Sequence, residues 1–108
     1  MTAESKYANL VSEFAHRPSV THATEGGGFG SRGQLRVDGR IFAMLAGGAL
    51  VLKLPRTRVD ELVAQGEGKR FDAGKGRPMR EWFVLTSSRK AWKPLAEEAL
   101  DFVKEAKS

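Results

Sequence analysis

The segment GFGSRG at residues 28–33 has the spacing G-x-G-x-x-G with which several protein families hold the phosphates of a nucleotide. Lys53 follows in the apolar run ALVLKL, in the order in which a protein kinase places a lysine after its glycine loop. A phosphate site is therefore the first chemistry that this sequence suggests.

The surroundings of the glycine loop argue against a nucleotide site. A dinucleotide site needs a buried strand before the glycines and a helix after them, whereas here residues 17–33 show no periodicity and a strand pattern follows. A kinase needs a catalytic aspartate loop and a magnesium-binding aspartate, and the chain has no HRD or DFG motif. We therefore interpret Gly28, Gly30 and Gly33 as residues that let the main chain bend where it enters a strand.

Residues for acid–base, nucleophilic or metal chemistry are scarce. The chain has no cysteine, and its two histidines, His16 and His22, fall at a predicted helix end and in a predicted loop. A metal site needs three or four converging ligands, so we predict no metal site and no cofactor. We also predict that the protein is not an enzyme. Adjacent carboxylates, which are typical of solvated helix faces, occur at Asp60/Glu61 and Glu97/Glu98.

Basic residues cluster with aromatic ones in a predicted hairpin. The middle of the chain, residues 26–90, has thirteen basic and six acidic side chains, whereas both ends are slightly acidic. A basic two-stranded ribbon can follow a phosphate backbone, because each contact releases counterions. The alternative is that these charges only solvate the outer side of the hairpin. The candidate nucleic-acid-binding residues are Lys69, Arg70, Lys75, Arg77, Arg80 and Trp82.

Periodicity and turn signals predict the elements of the first half. Residues 4–16 have an apolar stripe at helical spacing, and residues 17–33 have the pattern of a loop. Asp38 and Gly39 between two alternating runs predict a tight hairpin. A second turn at residues 46–48 leads to a third strand, so this part of the chain is predicted to form an antiparallel meander.

The second half is predicted to contain a short helix, a hairpin and a last helix. Thr57 is the predicted N-cap of the short helix, and Gly66 ends it. Two strands are predicted around KRFDA and MREWFVLT. Ser87 and Ser88 are predicted to cap the last helix, and Pro94 falls in its first turn.

The predicted order of elements, α-β-β-β-α-β-β-α, indicates one α+β domain over residues 1–108. Because hairpins link the strands, we expect a two-layer sandwich with a mainly antiparallel five-stranded sheet and helices on one face. No apolar run is long enough to span a bilayer, and the first residues lack the pattern of a signal peptide. We therefore expect no membrane partner and a cytoplasmic location.

The strand RIFAMLA is apolar on both sides. Strict alternation would place Ile41, Ala43 and Leu45 on one face and Phe42, Met44 and Ala46 on the other. A single layer of helices covers only one face, so the second face needs another partner. We predict that Phe42 and Met44 form an interface with a second copy of the chain or with another protein.

The stretch GFGSRGQLRVDGRIFAML, followed by ALVLKLP, resembles the N-terminal domain of TfoX, the Sxy-type competence regulators. Those domains have a glycine-containing loop, an alternating strand, an Asp-Gly turn and a strand of the pattern K-[IM]-F-A. A later strand has the pattern L-x-L-K, which corresponds to Leu50, Leu52 and Lys53 here. The resemblance covers about residues 5–106, although the last third lacks the tyrosine-rich segment of many TfoX domains.

The order of elements is also similar to that of the YjbR/MmcQ proteins, which are often described as DNA-binding. Both groups share a two-layer fold similar to that of type III secretion chaperones. The resemblance implies a small regulatory module that acts through protein–protein contact or, alternatively, through DNA binding. It implies no catalytic residues.

Overall fold

The computed structural model describes residues 3–23, 34–46, 48–71, 79–87 and 91–106. Within these ranges the chain has the α+β class that was predicted. No helix in the described ranges has the length and hydrophobicity needed to cross a membrane. The elements are α1 (Ala3–Phe14), β1 (Val20–Ala23), β2 (Gln34–Val37), β3 (Arg40–Ala46), β4 (Ala49–Lys53), α2 (Arg56–Ala64), β5 (Gly68–Phe71), β6 (Met79–Leu85) and α3 (Trp92–Ala106).

All the described strands belong to one sheet with the strand order β1-β2-β3-β4-β6-β5, and every pairing is antiparallel. The predicted meander corresponds to β2, β3 and β4 and is confirmed. The predicted number of five strands is wrong, because the described ranges contain six. The additional strand is β1, which lies in a segment predicted as loop. β1 is too short to show alternation in the sequence. It is identified as a strand by its pairing with β2, in which Val20 lies opposite Val37.

Asp38 and Gly39 form the tight turn that was predicted between β2 and β3. Their φ angles are 54° and 81°, as a type I′ turn requires at both central residues. Gly66, with a φ of 78°, follows α2 and ends it as predicted. Pro94 lies in the first turn of α3. At this position a backbone N–H would have no partner within the helix, so proline costs no hydrogen bond.

Two predicted helix caps are wrong. The N-cap of α2 is Pro55, which makes no side-chain capping bond, so Thr57 lies inside the helix. Ser87 donates from its hydroxyl to Glu67 Oε1 at 2.5 Å and thus joins the end of β6 to the residue before β5. Ser88 lies outside the described residues.

The main core lies between the helices and one face of the sheet. All three helices contribute buried apolar residues to it. From α3, Leu95, Ala99 and Val103 are buried in this core, and Phe102 is half-buried against it. The core residues from the strands are Val20, Leu35, Val37, Phe42, Ala43, Leu45, Leu50, Leu52, Phe83 and Leu85.

Phe42 lies in this core and not on the opposite face, as had been predicted. Leu35 pairs with Ala43, and the next residue, Arg36, pairs with Ile41, so Phe42 is an extra residue in β3. Such a bulge shifts the alternation by one position, and Phe42 and Ala43 are both fully buried in the main core. Phe42 is therefore not at the surface of this fold, because its ring packs beneath the helices.

Candidate functional site

The sheet has a second face, directed away from the helices, which we call the outer face. Residues paired across antiparallel strands point to the same side, so the register identifies its members. Gln34 pairs with Met44, Met44 with Val51 and Val51 with Val84. The outer face consists of Thr21, Gln34, Arg36, Ile41, Met44, Ala49, Val51, Lys53, Lys69, Phe71, Trp82 and Val84.

A small apolar cluster occupies the middle of the outer face. Met44, Val51 and Val84 keep at most 8% of their surface exposed, and Phe71 and Trp82 pack against them. Among the described residues, the cluster contains strand residues alone. Met44 thus lies on the second face, as predicted, but it is already buried. The accessible apolar part of the outer face, in the described ranges, is formed by half-buried residues around this cluster: Ile41, Ala49, Phe71 and Trp82.

Trp82 lies beside a lysine on the neighbouring strand. Lys53 and Trp82 are paired residues of β4 and β6, and Lys53 Nζ lies 5.3 Å from the centroid of the Trp82 ring. The same ammonium lies 3.8 Å from Glu81 Oε1. The sequence pattern connected Lys53 with the glycine loop at residues 28–33, which lies outside the described residues. The structure shows Lys53 as a half-buried cation against an aromatic ring.

Arg36 is a half-buried arginine without a carboxylate partner in the described part of the chain. Its Nη2 donates to Gln34 Oε1 at 2.8 Å, and Gln34 itself is buried. The Nε of Arg36 is buried and has no hydrogen-bond acceptor among the described residues. A guanidinium has five N–H donors, so most of the donor capacity of Arg36 is left for a ligand or water.

The other half-buried arginines of the described ranges all have carboxylate partners. Arg17 Nη2 lies 3.1 Å from Glu97 Oε2. Arg58 donates to both oxygens of Glu98, at 2.9 and 3.2 Å, and also bonds to Glu61. The hydrogen bond from Arg58 to Glu98 raises the pKa of Arg58, with a smaller contribution from Glu61. The remaining arginine of this kind, Arg70, pairs with Asp60 of α2.

The structure divides the predicted basic hairpin between the two faces of the sheet. Lys69 pairs with Val84 and is an exposed residue of the outer face, where Trp82 also lies. Arg70 pairs with Phe83 of the main core, so it points to the helix side. Lys75 and Arg77 lie outside the described residues, as does the side chain of Arg80.

Sequence reasoning missed Arg36 and Glu67. The alternation in QLRV would place Arg36 opposite the core, but the lack of a carboxylate partner depends on tertiary structure. Glu67 is buried at 7% exposure and accepts the hydrogen bond from Ser87 described above, and no sequence pattern singled it out.

His16 is exposed, and the side chain of His22 lies outside the described part. In the described ranges, no group of three histidine, cysteine or acidic residues is placed to hold a metal ion.

Comparison of this chain with protein-family models, with curated proteins and with solved structures gives no match.

Proposed function

We propose that this protein is a non-enzymatic module that binds nucleic acid, DNA in the first place, through the outer face of its sheet. The observation that carries the proposal is Arg36. Removing a guanidinium partly from water without a countercharge is unfavourable, and a phosphate group supplies both the charge and the acceptors that fit its planar fork. An anionic ligand at this position therefore satisfies donors that the described chain leaves unused.

The spacing of the outer-face cations favours a polymer over a small anion. Arg36 lies on β2, Lys53 on β4 and Lys69 on β5. In the strand order each is two strands from the next, or about 10 Å at the usual strand spacing. A row of separated positive charges suits a chain of phosphates. Residues 26–90 have more basic than acidic side chains, and this positive charge attracts such a ligand over long distances.

Acidic groups close to this row are few. Among the described residues, Glu81 lies near Lys53 at 3.8 Å, and Glu67 is buried against Ser87. On the helix side, by contrast, Arg17, Arg58 and Arg70 are neutralised by carboxylates, as described above. The outer face is therefore the side on which the described cations are better available to an anion.

A second candidate function is protein–protein contact, including formation of a homodimer, through the same face. It is supported by the half-buried rings of Phe71 and Trp82 next to a cluster made of strand residues. We rank it second because the centre of that cluster is already enclosed, which leaves little apolar area for a stable interface of about 800 Å² per partner. A regulatory role, which resemblance to TfoX N-terminal domains implies, is compatible with either candidate.

The proposed function is tested by fluorescence anisotropy with a labelled mixed-sequence DNA, single-stranded and duplex, over a range of salt concentrations. We expect binding that weakens as salt rises, because bound cations release counterions. Arg36→Met should weaken binding and reduce the salt slope by about one. The matched control is Arg56→Met, which removes the same charge from an exposed position of α2 and should leave the affinity nearly unchanged.

Two outcomes would contradict the proposal. If the wild type shows no salt-dependent binding to either form of DNA, the protein is not a nucleic-acid-binding module. If Arg36→Met and Arg56→Met weaken binding equally, the outer face is not the binding surface. Sedimentation velocity over a dilution series tests the second candidate, because a homodimer would dissociate at low concentration.

A further inference from the structure

We infer that the nucleic acid bound by the outer face is single-stranded and that one of its unpaired bases stacks on the ring of Trp82. This inference rests on the nucleic-acid binding proposed above and specifies its ligand. The residues that carry it are Trp82, Lys53, Lys69 and Arg36, all of which lie on the outer face.

Trp82 is held in place and yet remains accessible. Its ring packs against the buried cluster that includes Val84, two residues further along the same strand, and Trp82 is only half-buried. A ring that packing has already immobilised loses little side-chain entropy when a ligand covers it. Exposed aromatic residues on a sheet are a common platform for unpaired bases.

Lys53 lies near the Trp82 ring. A base can stack on this ring only if stacking contributes more free energy than the cation–π contact with Lys53 that it replaces. A cation–π contact at an exposed site contributes about 0.5–1 kcal/mol, whereas stacking of a base on an aromatic side chain contributes about 1–3 kcal/mol. Lys53 is one-third exposed, and its contact with Glu81 is long at 3.8 Å. A base can therefore displace the ammonium from the ring, and the ammonium can then pair with a phosphate of the same strand.

A duplex cannot use this surface in the same way. Its bases are stacked on one another, and a protein reaches only their edges through the grooves. Lys69 and Arg36 could contact phosphates of either form, but the face of the Trp82 ring has a partner only where a base is unpaired. The outer face from β2 to β5 covers four strand spacings, about 19 Å, which is enough for several nucleotides of an extended strand.

The two tryptophans of the chain make the inference directly testable. Trp92 is a matched control, because it is also half-buried and also has a lysine over its ring, Lys6 at 4.7 Å. It packs against the main core, on the helix side of the sheet. Trp92→Phe leaves Trp82 as the single tryptophan, and Trp82→Phe leaves Trp92.

Each single-tryptophan variant is titrated with an oligothymidylate of about ten nucleotides, within the size range of known single-strand sites, and with a duplex of the same length. We expect the single-stranded probe to quench the fluorescence of Trp82 in the Trp92→Phe variant and to leave that of Trp92 unchanged in the Trp82→Phe variant. Trp82→Leu should weaken single-strand binding about 5- to 150-fold, as loss of one stacked base implies, with little effect on duplex binding. Trp92→Leu should change neither affinity.

The outcomes separate the inference from the proposal on which it rests. If anisotropy detects binding but Trp82 fluorescence does not change, or if the duplex binds as tightly as the single strand, base stacking is refuted while nucleic-acid binding stands. If neither probe binds, both are refuted. If Trp82 fluorescence instead depends on protein concentration without DNA, the ring lies in a contact between copies, and the inference is likewise refuted.

Discussion

The ring of Phe14 in α1 lies 5.9 Å from the ring of Phe42 in β3, centroid to centroid, at an interplanar angle of 47°. Both side chains are fully buried. The contact exists because the bulge in β3 turns Phe42 toward the helices, and it joins the first helix of the chain to the sheet. A tilted pair of this kind contributes about 0.5–1.5 kcal/mol beyond the burial of its surface.

We predict that Phe42→Ala lowers the free energy of unfolding by about 3–5 kcal/mol, the usual cost of emptying a fully buried aromatic site. Urea denaturation measures this value. A double-mutant cycle of Phe14→Leu and Phe42→Leu should give a coupling energy of about 0.5–1.5 kcal/mol. Phe14→Leu combined with Phe71→Leu is the control, because Phe71 packs in the other cluster. If the effects of Phe14→Leu and Phe42→Leu on stability are additive, the two rings are not in contact, and the position of the bulge is contradicted.

Tyr7 makes stability depend on pH in the alkaline range. Burial raises the pKa of Tyr7 far above its ordinary value of 10.0, and a hydrogen bond with the backbone of Leu35 lowers it by a smaller amount. The folded state therefore holds this proton more tightly than the unfolded state. The resulting stabilisation is complete below pH 10 and is lost as pH rises above it.

We predict that Tyr7 ionises only when the chain unfolds. Because the chain has a single tyrosine, tyrosinate absorbance reports this residue alone, and it should rise together with the loss of the circular dichroism signal. Tyr7→Phe is the control for other groups that titrate in this range, and its unfolding should depend less on pH above pH 10. Reversible tyrosinate formation near pH 10 in a protein with an intact fold would show that Tyr7 is not buried.

The parts of the fold that were predictable from sequence are those determined by local patterns. The stripe of α1 and the turn at Asp38 and Gly39 depend on residues that are close in the chain, so periodicity and turn chemistry were sufficient. Strand β1 and the bulge at Phe42 depend on pairing with distant residues. A bulge changes which face a residue occupies without leaving a mark in the alternation, so strict alternation placed Phe42 on the wrong side.

The candidate site was predictable only in part, for a related reason. Alternation implies that the neighbours Lys69 and Arg70 point to opposite faces, but the sequence does not indicate which face α2 covers or that Asp60 lies within reach of Arg70. Arg36 was missed because what distinguishes it is that no carboxylate of the described residues pairs with it. The positions of all nearby carboxylates must be known before such an arginine can be distinguished from the paired ones.

The contact of Arg58 with Glu98 joins α2 to α3, and we predict that it contributes modestly to stability. The pair is partly exposed, with 27% and 42% of the side chains accessible, so solvent screening limits its contribution to about 1 kcal/mol. Arg58→Met should lower the free energy of unfolding by about this amount, and the difference should shrink at high salt. The control Arg56→Met, at an exposed position nearby, should have a smaller effect. A loss that does not respond to salt would indicate that packing, rather than charge, is the cause.

Gly68 lies where β5 approaches β6 too closely for any side chain. A Cβ at this position would lie 1.9 Å from Val84 O and 2.6 Å from Phe83 Cζ. We predict that Gly68→Ala destabilises the protein by about 1–3 kcal/mol or more, the usual range for overpacking, because the strand must move away from its partner. Hydrogen exchange should then show weaker protection of the amides of β5 and of the part of β6 that pairs with it.

The matched control is Gly39→Ala, which adds the same methyl group where no atom lies within 4 Å. Its cost in stability comes only from the positive φ of the turn, about 1–2 kcal/mol, and the protection of β5 should not change.

Because Lys69 directly follows Gly68, we also expect Gly68→Ala to weaken DNA binding under conditions in which both variants remain folded. Gly39→Ala should not weaken it. If Gly68→Ala binds DNA as the wild type does although its β5 has lost protection, Lys69 is not part of the binding surface.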